Sequence, residues 1–181
     1  MPIRGGRAVA AVIVALFVSF STVHATTVLP VDFDEMVTRS HTVVRGRVVD
    51  VRTQATAGRR SIESLVTLAV VDAVKGSASP EVVFRVPGGQ VGRYRRVMVG
   101  APGFAPGDEV VVFLSGAFPV IPMPFGLSQG VYRIHRDPGG RAVVNGPKPG
   151  QEGLVRGDPA RRPVEVELFL RQVRAIAGRQ P

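Results

Sequence analysis

Valine-dense segments, each closed by glycine or proline, set the limits on what this chain can fold into. Residues 42–54 (TVVRGRVVDVRTQ) alternate valine with arginine, the period of a strand with one buried face. The phase slips at Val48-Val49 and Gly46 lies inside the run, which predicts a bulge or sharp bend suited to a strand coiling around a small barrel. After a polar turn at 55–60, residues 61–74 are apolar on both faces (Leu65, Val66, Leu68, Val70, Val71) and read as a central strand closed by Lys75-Gly76-Ser77. Residues 81–86, ending at Pro87-Gly88-Gly89, and 93–99 read as further strands, and 108–115 (DEVVVFLS) as a buried one. Pro119, Pro122 and Pro124 argue against a strand anywhere in 116–129. Residues 130–136 and 141–145 form a hairpin across Asp137-Pro138-Gly139-Gly140.

Helices are expected at both ends of this series. Asp32 precedes Glu35 by the spacing of a capping box, and Val31 with Met36 matches a hydrophobic staple, so a helix is expected over 33–40. Residues 146–162 read as loop. A second helix over 163–177 would open on Pro163, with Glu165 and Glu167 at its positive end, Arg171 and Arg174 near its negative end and Gly178 as the stop. Val166, Phe169, Leu170, Val173 and Ala177 form one apolar stripe that should dock on the sheet. The fold class expected is mainly β: a small barrel or sandwich of 5–7 strands with a short N-terminal helix and a C-terminal amphipathic helix.

The first 25 residues read as a cleavable signal peptide. Arg4 and Arg7 stand ahead of 13 uncharged residues (8–20), and Val23-His24-Ala25 is a small-x-small cleavage site, placing the cut between Ala25 and Thr26. That apolar run falls short of the about 20 residues a spanning helix needs. The rival reading is an uncleaved N-terminal anchor. Cleavage would leave one β-rich domain, 26–181, with its core in 33–145. Two arginines leave with the leader, so 21 of the 23 basic residues remain against 14 acids, a net charge of +7. Such a chain expects an anionic envelope component or another exported protein as partner, and export argues against nucleic acid. Cysteine is absent, which excludes disulfides and thiolate chemistry. The address expected is the periplasm, the cell envelope or the medium.

Several pieces of the strand series occur together in a way that resembles a family of uncharacterised exported bacterial proteins. They are Val43-Val44-Arg45-Gly46-Arg47-Val48, Val74-Lys75-Gly76, Val86-Pro87-Gly88-Gly89, the run from Pro106 to Leu114, and Gln129-Gly130-Val131-Tyr132-Arg133-Ile134. The layout is also similar to the OB-fold modules of netrin-like domains and of tissue inhibitors of metalloproteinases. The resemblance implies an OB-like barrel. It implies no inhibitory mechanism, because those inhibitors act through an N-terminal cysteine that this chain lacks.

Few residues form a chemical constellation. Gly126-Leu127-Ser128-Gln129-Gly130 fits G-x-S-x-G, but a proline-rich loop enters and a strand leaves, whereas a nucleophile elbow needs a strand in and a helix out. A hydrolase using Ser128 with His135 is therefore the alternative to a binding protein. His41 and His135 sit on separate elements without a metal-binding spacing, and no cofactor or metal is expected. Asp34-Glu35 and Asp108-Glu109 are explained by a helix start and a turn. Residues 87–92 (PGGQVG) lack the lysine and helix start of a phosphate loop and read as a turn. Arg93-Tyr94-Arg95-Arg96 is the candidate ligand contact: three guanidiniums beside a ring can clamp phosphate, sulfate or carboxylate. The expected function is a non-catalytic binding module of the cell envelope, with loops 87–107 and 116–129 as contact surface. A polyanion- or nucleic-acid-binding OB-like domain is the further alternative.

Overall fold

The computed structural model describes residues 29–56, 61–116, 119–147 and 155–179. The expected leader, with its expected cut between Ala25 and Thr26, lies outside the described residues. Helix α1 spans Phe33–Arg39. Asp32 caps it, accepting from the backbone N–H of Asp34 at 3.0 Å. The reciprocal half of the expected capping box is not made: Glu35 instead pairs with Arg39, one turn on, at 2.6 Å.

The chain then runs into β1 (Thr42–Ala55), β2 (Ile62–Lys75) and β3 (Glu81–Pro87), an antiparallel meander. Later come β6 (Glu109–Ser115), β7 (Met123–Pro124), β8 (Val131–Arg136), β9 (Ala142–Asn145) and β10 (Val164–Glu165). These build a sheet of 8 strands in the order β10-β9-β8-β6-β1-β2-β3, with β7 also paired to β6. A separate hairpin holds β4 (Gly89–Val91) and β5 (Tyr94–Arg96). Helix α2 spans Val166–Ala177.

The bulge expected in β1 is there, and β2 answers it. The register of the two strands shifts between Val43 and Val44, between Arg45 and Gly46, and between Val48 and Asp50. Val49 on β1 and Val71 on β2 are left without partners and turn outward, 45% and 68% exposed. Gly46 sits where the strands come closest: a Cβ there would lie 2.3 Å from the Ala69 carbonyl oxygen. The two bulged strands coil, and this separates two cores on opposite faces of β1 and β6.

On one face Val44, Val48, Val66, Leu68, Phe84, Val110, Val112 and Leu114 pack inside the curl of β1, β2, β3 and β6. On the other face Val43, Val111 and Phe113 meet both helices. Four rings, Phe33, Phe113, Tyr132 and Phe169, knit this second core, with centroids from 4.8 Å (Tyr132–Phe169) to 6.4 Å (Phe113–Phe169) apart. Consecutive β6 residues serve opposite cores, so the strand is apolar on both faces. Ion pairs from Glu167 to Arg45 (3.0 Å) and from Arg174 to Asp72 flank α2 on the sheet.

Five expectations needed correction. The main sheet holds 8 strands and the separate hairpin two more, against the 5–7 expected, because residues 87–92, 116–129 and 163–165 each supply a short strand (β4, β7 and β10). Helix α2 starts at Val166 and not at 163, because Val164 and Glu165 first pair with Val144 and Val143 of β9. The proline-rich loop does contribute a strand: Met123 and Pro124 pair with Ser115 and Leu114, and the donor to β6 is the Phe125 N–H (to Phe113, 2.8 Å), so the missing proline N–H costs no bond to β6. The 87–92 segment is more than a turn, since Gly88 and Gly89 take φ values of 98° and 134° and swing the chain into β4. Only Tyr94–Arg96 of the strand expected over 93–99 is strand.

Candidate binding surface

The Lys75-Gly76 signal has a local explanation. Lys75 Nζ donates to the carbonyls of Val37 and Thr38, both at 2.7 Å, and so closes the C-terminal end of α1 from the end of β2. Burial draws its ammonium below the ordinary lysine value. Gly76, at φ 75°, passes close to the His41 carbonyl. His41 itself donates its backbone N–H to Leu114 at 2.9 Å.

The G-x-S-x-G segment is a clamp. It forms a 3-10 turn, Leu127–Gly130, entered through Gly126 in the left-handed region, with Leu127 also at positive φ (60°). The turn drives Gln129 inward, where it is 1% exposed. Its side-chain amide grips the N-terminal segment as a strand would: Oε1 accepts from Val31 N–H at 2.9 Å and Nε2 donates to the Leu29 carbonyl at 3.1 Å. The sequence signal for this role was a glutamine between two glycines, which the serine motif obscured. Ser128 and His135 do line one cleft together, of about 800 Å³, with Asp108. However, the Asp108 carboxylate is taken by Arg133 at 2.8 Å and by the Ala105 N–H at 3.0 Å. His135 Nε2 stands 3.5 Å from the Asn145 amide.

A buried acid lies behind that cleft's wall. Asp158 is 8% exposed and caps a short 3-10 turn, accepting from the Ala160 N–H at 2.8 Å. Burial raises its carboxyl above the ordinary value of 3.8. Burial first, and then the Asp158 carboxylate, push the Tyr132 hydroxyl well above the usual phenol range. That hydroxyl is buried without a hydrogen bond of full geometry. Because folded Asp158 holds its proton more tightly than the unfolded chain does, it favours the fold most at low pH. This contribution is lost as pH rises from 3.8 through the raised value. Asp158→Asn keeps the cap and removes the charge, so thermal melts should show the variant gaining on the wild type as pH climbs through that window. A melting difference independent of pH would contradict this.

The Arg93-Tyr94-Arg95-Arg96 group stands on β5 and its turn, and every residue from 92 to 99 is exposed. Arg93 Nη2 donates to the Tyr94 hydroxyl at 3.0 Å, with its guanidinium carbon 5.1 Å from the ring centroid. Arg95 has no acidic partner among the described residues. The segment that follows wraps over the body, held by Ala101 N–H to Met98 (3.2 Å) and Ser128 N–H to Gly100 (3.0 Å). Residues 93–104 thereby contribute to three clefts: Arg93–Arg96 to one, Arg95–Met98 with Phe104 to a second, Val99–Gly103 to the third. Loop 116–129 is joined to the body through Pro122, whose carbonyl accepts from Arg85 N–H at 2.9 Å. No protein-family model, curated protein or solved structure matches this chain.

Proposed function

We propose that this protein is an exported, non-enzymatic binding module that engages an anionic component of the cell envelope through residues 93–104. The observation that carries this reading is that one segment, exposed over 93–99 with three arginines at its start, borders three clefts of the surface. Its scaffold is read as OB-like. In support, β1, β2 and β3 form a meander, β6 returns to β1, β7 pairs β6, and Arg85 of β3 bonds to Pro122 just before β7. Ridges of arginine on such a scaffold suit anions, because guanidinium forks bind phosphate, sulfate and carboxylate in pairs of hydrogen bonds.

Heparin serves as the probe for the soluble arm of this reading. Binding should weaken steeply with added salt. Arg95→Ala should lower affinity about tenfold, the loss of one charged contact of roughly 1.5 kcal/mol. Affinity indifferent to salt and to Arg95→Ala would end the proposal. The hydrolase alternative has one observation in its favour, the shared cleft of Ser128 and His135. Turnover of ester, peptide or glycoside substrates that disappears in Ser128→Ala would replace the binding reading with that one.

A further inference from the structure

The arginines are only half of what the 93–104 segment exposes. Val97 is 72% exposed and Val99 60%, and Tyr94 (55%) and Met98 (38%) are covered only in part, so apolar side chains follow or interleave with the guanidiniums and, among the described residues, none of the four is fully buried. No acidic residue occurs between Glu81 and Asp108, a stretch that contains Arg85, Arg93, Arg95 and Arg96. The segment is also held in place: its first part is β5, paired with β4, a Cβ on Gly88 would sit 3.0 Å from the Arg96 carbonyl, and Met98 and Gly100 accept backbone bonds.

A soluble polyanion would meet the basic charge and leave the valines in water. A protein groove would cover the valines but would need carboxylates placed to match each arginine, whereas a sheet of headgroups meets them without such a match. An anionic bilayer accounts for both. Its phosphates meet the guanidiniums, and its headgroup–acyl boundary takes up a tyrosine and aliphatic side chains. We infer that residues 93–99 dock on the surface of an anionic phospholipid bilayer, Arg93, Arg95 and Arg96 on the headgroups and Tyr94, Val97 and Val99 entering the boundary beneath them. This rests on the binding function proposed above and names its ligand.

The chain contains no tryptophan, so Val97→Trp installs a single reporter at an exposed position. With phosphatidylglycerol vesicles its emission should shift to the blue and be quenched by brominated acyl chains. Phosphatidylcholine vesicles should give neither effect. Adding Arg95→Ala and Arg96→Ala should weaken vesicle binding about 25-fold, roughly fivefold for each arginine. Because the reporter sits in the loop, membrane binding by any other part of the chain leaves it in water. Vesicle binding with an unshifted emission therefore overturns the inference. Salt-sensitive heparin binding with no response to vesicles would overturn the bilayer ligand and leave the anion-binding function standing. Failure with both probes would overturn both.

Discussion

Phe169→Ala should cost about 3–5 kcal/mol of unfolding free energy, the range for removing a large buried aromatic side chain. Phe169 is fully buried and its ring meets Phe33, Phe113 and Tyr132, so a single truncation opens the junction of α1, α2 and the sheet. Against a total stability of about 5–15 kcal/mol for a domain of ordinary size, that is a large share. Urea denaturation measures it, and a neighbour supplies the control. Leu168 on the same helix is 51% exposed, and Leu168→Ala should stay within about 0.5 kcal/mol of the wild type. Equal effects at both positions would mean that α2 does not dock by the face described.

Gly46→Ala is the second large effect, and it works by crowding. The added methyl would meet the Ala69 carbonyl oxygen at 2.3 Å and Leu68 Cγ at 2.8 Å. The first contact is backbone of the adjoining strand, so relief requires β1 and β2 to part where their register shifts. A loss of about 3 kcal/mol or more is expected, at the upper end of overpacking costs. Gly92→Ala makes the comparison: its φ is 57° but nothing lies within 4 Å of the new methyl, so only conformational strain of about 1–2 kcal/mol remains. Parity of the two variants in denaturant melts would show that close approach at Gly46 is not what requires glycine there.

Gly46 also shows how much of the fold could be read in advance. Period and interruption in residues 42–54 were enough to predict a bulged strand, because alternation reports which face is buried and a glycine inside it reports a close approach. The β8–β9 hairpin and α1 were legible for similar local reasons. What was illegible depended on partners far away in sequence. Val164 and Glu165 have the chemistry of a helix start, yet they pair with β9 first. Pro124 looks like a sheet breaker until the pairing shows that Phe125, not Pro124, donates to β6. The arginine group could be found as a charge cluster, but the uncovered valines beside it could not. Residues 93–99 alternate as a strand would, and only the fold leaves Val97 and Val99 without a core to enter.

The clamp at Gln129 carries a meaning in time as well as in space. It joins Val31 and Leu29 to a side chain 98 and 100 positions further along. Contacts of such span close late, after the neighbouring hairpins have shortened the loop between their ends. The β1–β2, β2–β3 and β8–β9 pairings are all available from near neighbours. Leu29 and Val31 must wait until the turn around Gln129 has been built against β6 and β8. The first described residues to leave the ribosome are thus expected to be among the last to be fixed.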